Sequence, residues 1–95
     1  MVFRGGEVRA GSRGRCDVAV SLELTEAGGL VLETTGSFDG DPGSVEAVVR
    51  EVLGEQGIEN ARALLEMGGA EEFVLRARLE TAAVRALKRN GGERP

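Results

Sequence analysis

The clearest pattern in this chain is an alternation that places Val or Leu at every second position from Val18 to Leu24. Side chains with a period of two lie on one face of a β-strand, so the segment Asp17–Thr25 predicts a half-buried strand. A return strand is predicted from Leu30 to Phe38. The four residues 26–29 between them, Glu-Ala-Gly-Gly, tolerate the positive φ that tight turns require. The two segments therefore predict an antiparallel β-hairpin.

After a predicted loop at residues 39–43, the apolar residues have the spacing of a helix. Ser44 is predicted to cap the helix, and Glu46 lies in the first turn, where the helix dipole favours an acid. The apolar residues then recur every three or four positions and form one stripe: Val45, Val48, Val49, Val52 and Leu53. Gly57 is the predicted end of this helix.

The segment from Ile58 to Met67 allows two interpretations. Its apolar residues alternate, which favours a strand, although Ala, Leu, Glu and Met are also good helix formers. Glycines on both sides leave a segment of strand length, so we predict a strand. A second helix is predicted from Ala70 to Arg89, and its apolar face carries Leu75, Leu79, Ala82 and Ala86.

The predicted order of elements is β-β-α-β-α, with Glu7–Ala10 as an alternative extra edge strand. This order indicates an α+β fold: a small two-layer sandwich with a mixed three- to four-stranded sheet and two helices on one face. The 95 residues are enough for one domain. We place it at residues 16–90, after a flexible segment rich in Gly and Arg at residues 1–15 and before a frayed tail at residues 91–95.

The composition leaves little catalytic chemistry. There is no His, and Cys16 is the single cysteine, so the commonest general base and metal ligand and any internal disulfide are excluded. We therefore expect neither catalytic nor metal-binding residues, and we expect Cys16 to be a partly buried residue at a strand start. One unpaired cysteine and no long apolar run predict a cytoplasmic protein.

The net charge of −4 is unevenly distributed. Residues 16–75 contain thirteen acids and two bases, whereas residues 1–15 and 76–95 are both basic. The acidic middle argues against a general nucleic-acid binder. The basic ends suit a phosphorylated group or an acidic partner.

A glycine break followed by the helical run Leu75-Arg76-Ala77-Arg78-Leu79-Glu80 resembles the C-terminal signature of the citrate lyase acyl carrier protein (gamma subunit) family. The run is similar, more loosely, to the malonate decarboxylase carrier subunit, and the resemblance extends from about Arg9 to Leu87. It implies a carrier that holds phosphoribosyl-dephospho-coenzyme A on a serine and presents its acyl thioester to other subunits. The implied partners are a lyase subunit, a CoA-transferase-like subunit and a prosthetic-group transferase. The alternative is an unmodified structural or adaptor paralogue.

The resemblance also implies an attachment residue, because the family carries its modified serine in a Ser-Gly-Asp sequence. This chain has Arg15-Cys16-Asp17 at those positions. The nearest serine is Ser12, which reaches the attachment position only with a local gap of three residues. Ser12 is therefore the candidate attachment residue, and the alternative is a loop serine without a role.

Two groups of charged residues complete the candidates. Arg9, Arg13 and Arg15 could contact the phosphates of the arm through charge-assisted hydrogen bonds, or they could be solvated charges. Three residues of the helical signature could dock a partner subunit: Arg76, Arg78 and Glu80. The alternative for these is a solvent-facing helix in which Arg76 and Glu80 form an i,i+4 ion pair.

Overall fold

The computed structural model describes residues 7–38, 40–41 and 43–91, and in these residues it contains four strands and two helices. The strands are β1 (Val8–Gly11), β2 (Val18–Leu24), β3 (Leu30–Phe38) and β4 (Ala61–Ala70), and the helices are α1 (Ser44–Glu55) and α2 (Glu72–Gly91). The predicted α+β class and mixed sheet are confirmed, and the alternative edge strand exists as β1. Residues 1–6, 39, 42 and 92–95, which belong to the predicted N-terminal segment, loop and C-terminal tail, lie outside the described residues.

The predicted hairpin is wrong, because β2 and β3 do not pair with each other. The strand order is β1-β2-β4-β3, so β4 lies between them, antiparallel to β2 and parallel to β3. The segment between β2 and β3 instead wraps around the start of β4. Asn60, just before β4, accepts a hydrogen bond from the Thr25 N–H at its carbonyl (3.1 Å) and from the Gly29 N–H at its side-chain oxygen (2.8 Å).

The apolar side chains of the strands lie on one face of the sheet. Leu22 of β2, for example, lies opposite Val8 of β1 and Ala63 of β4. Both helices contribute to the same buried cluster, so the predicted placement of two helices on one face is confirmed. The largest fully buried side chains are Leu22, Leu65, Leu75, Leu79, Val18, Val20, Val49 and Val52.

Helix α1 begins differently from the prediction. Gly43 occupies the N-cap position, and Ser44 is the first helical residue, so the predicted Ser44 cap is wrong. The Ser44 hydroxyl instead donates to the Asp41 carbonyl (2.7 Å) and ties the preceding loop to the helix. The predicted C-terminal stop is confirmed: Gly57 has φ +78°, a left-handed conformation that ends a helix and favours glycine.

Neither of the two described helices is both long and apolar enough to cross a membrane.

Candidate functional site

The loop between β1 and β2, residues 12–17, contains the candidate attachment residue. Gly11 ends β1 with φ +84°, and a Cβ at this position would overlap the Val18 carbonyl oxygen. The other end of the loop is anchored on β4: the Cys16 N–H donates to the Gly68 carbonyl (2.7 Å), and the Gly68 N–H donates to the Asp17 carbonyl (2.9 Å). The loop is therefore exposed but held against the sheet by backbone contacts at both ends.

Asp17 is the centre of the polar contacts in this loop. Its carboxylate accepts hydrogen bonds from two nitrogens of Arg78, at 3.0 Å from Nε and 3.4 Å from Nη2. It also accepts the Val18 N–H (2.7 Å) and the Ser12 hydroxyl (2.9 Å). The Arg78 hydrogen bonds, followed by that from Val18, lower the pKa of Asp17 from 3.8 to about 2. The carboxylate is therefore charged at neutral pH.

The Ser12 hydroxyl is exposed and has two partners. It donates to Asp17 and accepts the Gly14 N–H (3.1 Å). A carboxylate with so low a pKa is a weak base, so Asp17 orients the hydroxyl and leaves it protonated. The geometry offers a modifying enzyme a surface hydroxyl in a defined position.

Cys16 differs from its prediction, because it is exposed and precedes β2. Its φ is +62°, a left-handed conformation that side chains rarely adopt and that glycine adopts easily. The resemblance aligns Cys16, directly before Asp17, with the Gly of the Ser-Gly-Asp pattern, and a left-handed φ suits that register. In that register Arg15, which has no hydroxyl, stands at the attachment position.

The three N-terminal arginines differ in their surroundings. Arg9 and Arg13 both contact Glu66 of β4, at 3.3 Å and 3.6 Å, so the structure brings these two together on the uncovered face of the sheet. Arg15 is exposed, and none of the ion pairs in the described residues includes it. Among the three, Arg15 is the residue whose charge is not shared with Glu66.

The three candidates on α2 also differ in whether they form ion pairs. Arg76 pairs with Glu72 one turn earlier and with Glu51 of α1, both at 2.9 Å, and its hydrogen bond lowers the pKa of Glu51. The predicted Arg76–Glu80 pair is therefore wrong, and Glu72 takes its place because an acid N-terminal to its base gives the better i,i+4 pair. Arg78 pairs with Asp17. Glu80 is exposed and takes part in no ion pair between described residues.

Sequence reasoning did not identify Asp17 as the residue that joins the loop at residues 12–17 to α2. The Asp17–Arg78 contact spans 61 positions, and no periodicity connects residues that far apart. The available signal was that both residues belong to the two motifs singled out for their family resemblance. Among residues 7–38, 40–41 and 43–91, no group of three or more His, Cys, Asp or Glu side chains has the arrangement of a metal site.

The low pKa of Asp17 predicts a specific pH dependence of stability. Because the folded state lowers this pKa, Asp17 stabilises the fold at pH values above 3.8, and the contribution disappears as the pH falls through about 2. We expect Asp17→Asn to lower the free energy of unfolding by about 1–2 kcal/mol at pH 7. Urea titrations between pH 7 and pH 2 should show the two proteins converging at the acid end. The variant Arg78→Gln should reduce the same pH dependence, because the hydrogen bonds from Val18 and Ser12 remain, and an undiminished dependence in that variant would contradict the assignment.

Comparisons with known proteins agree with the resemblance seen in the sequence. A family model described as the acyl carrier protein "Malonate decarboxylase delta subunit" matches residues 6–86. The citrate lyase acyl carrier protein of Klebsiella pneumoniae is 37% identical over 78 residues, which cover 81% of this chain and 80% of that protein. The protein of the same name from Haemophilus influenzae is 40% identical over the same shares of the two chains. Citrate lyase acyl carrier protein 2 of Salmonella typhimurium is 36% identical, again over 78 residues.

Proposed function

This chain belongs to the acyl carrier family of the malonate decarboxylase delta subunit, whose family model matches residues 6–86, and we propose that it is an acyl carrier subunit of a citrate lyase-type complex. In this proposal Ser12 carries phosphoribosyl-dephospho-coenzyme A, a coenzyme A-like arm attached by a prosthetic-group transferase. The arm visits a CoA-transferase-like subunit and a lyase subunit in the cytoplasm. The chain itself is not the catalyst. It raises the effective concentration of the acyl thioester at the active sites of its partners.

The observation that carries this proposal is the position of the Ser12 hydroxyl. It is exposed, lies 2.9 Å from the Asp17 carboxylate, and belongs to a loop fastened to β4 and, through Asp17, to α2. A carrier needs an attachment point that an enzyme can reach on a platform that does not move with its cargo. Residues 12–17 contain one hydroxyl side chain, that of Ser12.

Nearby charges bear on this attachment. Forming a phosphodiester on Ser12 removes the proton that it donates to Asp17 and places a second negative charge beside that carboxylate. Arg78 already lies against Asp17, and exposed Arg15 belongs to the same loop, whereas Arg13 of that loop lies 3.6 Å from Glu66. Arginine offers charge-assisted hydrogen bonds that suit phosphate, so Arg78 and Arg15 would offset the repulsion. The chain thus has donors to hold the first phosphate of the arm.

One observation favours a second candidate function, that of an unmodified structural or adaptor paralogue. The left-handed φ of +62° at Cys16, which glycine adopts easily, supports an alignment of Cys16 with the glycine of the family motif. The preceding residue is then Arg15, so the attachment serine is replaced in the ungapped register. Such a chain would bind lyase-type partners and carry no acyl group.

Intact-mass spectrometry separates the two functions. The chain is purified from its native host, where the biosynthetic enzymes are present, together with the variants Ser12→Ala and Ser37→Ala. We expect an adduct of coenzyme A size on the natural chain and on Ser37→Ala, whose exposed serine is the matched control, and none on Ser12→Ala. An unmodified natural chain would favour the adaptor function. An adduct that persists on Ser12→Ala would place the attachment on another residue.

A further inference from the structure

A row of basic side chains lies along one side of α2. Arg78, Arg85 and Arg89 follow one another at steps of seven and four residues, which keep side chains on one side of an α-helix. Lys88 lies next to this row. Arg85, Lys88 and Arg89 are exposed, and no ion pair found between described residues includes them. We name these four residues the basic row.

The basic row follows β1, an edge strand that pairs with β2 alone. The stem of Arg78 lies beside Gly11, the last residue of β1. Farther along the helix, Arg85 donates from Nη1 to the Arg9 carbonyl (2.6 Å). The row therefore runs along the outer edge of the sheet, from the end of β1 towards its beginning.

The C-terminal half of the row borders an open groove. Arg85, Lys88 and Arg89 line this groove, of about 470 Å³, together with residues 7–9 at the start of β1. Glu7 is the one acid among the lining residues, and the Arg9 guanidinium pairs elsewhere, on the uncovered face of the sheet. The groove therefore has an excess of positive charge.

The helix dipole does not account for this cluster. Its negative end favours bases in the last turn, where Lys88 and Arg89 lie. Arg85 lies before that turn, and its side chain is held towards β1 by the Arg9 carbonyl. The three bases thus converge on one groove, and a cluster of like charges at a concave surface attracts an anion.

The contacts of the groove favour a small phosphate compound over an acidic peptide. Arg85 and Arg89 are one turn apart, with about 5–6 Å between their Cβ atoms. Two guanidinium groups at this spacing can hold a diphosphate from both sides through charge-assisted hydrogen bonds. An extended peptide would add to the free edge of β1 through backbone hydrogen bonds. Arg85 already occupies the Arg9 carbonyl at that edge, which opposes such an addition.

The other end of the row lies at the loop that contains Ser12. Arg78 holds Asp17, which accepts the Ser12 hydroxyl. At about 1.5 Å per residue, Arg85 lies about 10 Å and Arg89 about 16 Å beyond Arg78 along the helix axis. The arm proposed for Ser12 has one phosphate at the serine and the diphosphate of dephospho-coenzyme A beyond two sugars. The row thus offers bases at both positions.

We propose that the basic row binds the diphosphate of a coenzyme A-like molecule in this groove. The proposal rests on the proposed function for the source of the diphosphate. The arm on Ser12 supplies it in a modified chain, and a free nucleotide supplies it in an unmodified one. With the diphosphate held there, only the acyl-bearing end of the arm moves between partner subunits.

The first test uses the full chain, produced without the prosthetic-group transferase, and free dephospho-coenzyme A. We expect amide chemical shifts to change at residues 7–10 and 84–89, and adenosine, which has no phosphate, to bind at least tenfold more weakly. The double variant Lys88→Gln/Arg89→Gln should weaken binding of dephospho-coenzyme A about tenfold or more. The matched control Arg50→Gln/Arg62→Gln removes two exposed bases elsewhere and should bind as the natural chain does.

Three results of this titration would overturn the proposal. One is the absence of shifts at residues 7–10 and 84–89 at millimolar dephospho-coenzyme A. Another is binding to Lys88→Gln/Arg89→Gln that equals binding to the natural chain, or adenosine that binds as well as the nucleotide. The third is displacement of dephospho-coenzyme A by a lower concentration of a Glu-rich peptide, which would assign the groove to an acidic protein partner.

The second test identifies the source of the diphosphate. The chain that carries the adduct is titrated with the same free nucleotide. We expect binding at least tenfold weaker than to the unmodified chain, because the tethered diphosphate competes at a high effective concentration. Equal binding would overturn the link between the basic row and the arm. A natural chain without any adduct would contradict the proposed function alone, since the first titration does not need the adduct.

Discussion

Leu65→Ala should lower the free energy of unfolding by about 2–5 kcal/mol. Leu65 is completely buried and lies in β4, which has β2 on one side and β3 on the other. Its side chain points to the face that both helices cover, so the cavity left by the substitution is bounded by the sheet and by α1 and α2. A cavity between elements held on all sides collapses poorly, which places the expected loss in the upper part of this range. Small domains have only about 5–15 kcal/mol of stability in total.

The adjacent leucine supplies the control for this experiment. Leu64 is the same residue type in the same strand, but it is half-buried and points to the uncovered face of the sheet. Leu64→Ala should therefore cost less than half as much as Leu65→Ala in the same denaturant titration. Equal losses would mean that the two faces of the sheet have been assigned wrongly.

Gly11→Ala should lower the free energy of unfolding by about 2–4 kcal/mol and displace the loop at residues 12–17. Two independent costs combine at this position. Its φ of +84° is unfavourable for any residue with a Cβ, and the Cβ would overlap the Val18 carbonyl oxygen and press on the stem of Arg78. The backbone must therefore move where β1 passes into the loop. Amide chemical shifts of residues 12–17 should change together with the loss of stability.

A glycine without these constraints is the matched control for Gly11→Ala. Gly54 lies in α1, its φ is not in the left-handed region, and a Cβ there would meet no neighbouring atom. Gly54→Ala should stabilise the protein by about 0.5–1 kcal/mol, because alanine loses less backbone entropy than glycine in a helix. If the amide chemical shifts of residues 12–17 stay unchanged in Gly11→Ala, the left-handed turn at the end of β1 is not required.

The periodicity of the sequence predicted the elements closely. The alternation from Val18 to Leu24 and the segment Leu30–Phe38 correspond to β2 and β3, and the ambiguous segment after Ile58 is a strand, β4. These predictions succeeded because apolar spacing reports directly on which side of an element is buried. The Ser44 cap failed because either of two adjacent residues can occupy such a position, and the chain uses Gly43.

The candidate site was predictable in its parts and not in its connections. The family resemblance singled out Ser12, Arg15 and Arg78, and an alternation that begins at residue 18 indicated where the loop ends. The sequence did not indicate that Asp17 would hold both Ser12 and Arg78. It also did not indicate that Cys16 would take a left-handed φ, since that conformation is imposed by the contacts of the loop with Gly68.

By itself, the sequence determined which segments are strands and helices, which of their faces are apolar, and which family the chain resembles. All of these depend on residues close together in the chain or on a contiguous motif. Only the tertiary structure decided that β4 separates β2 from β3, that Asp17 joins the loop to α2, and that α2 leaves Phe73 and Val84 exposed. Strand neighbours and ion pairs between distant residues are chosen by how the whole core closes, and local patterns do not record that choice.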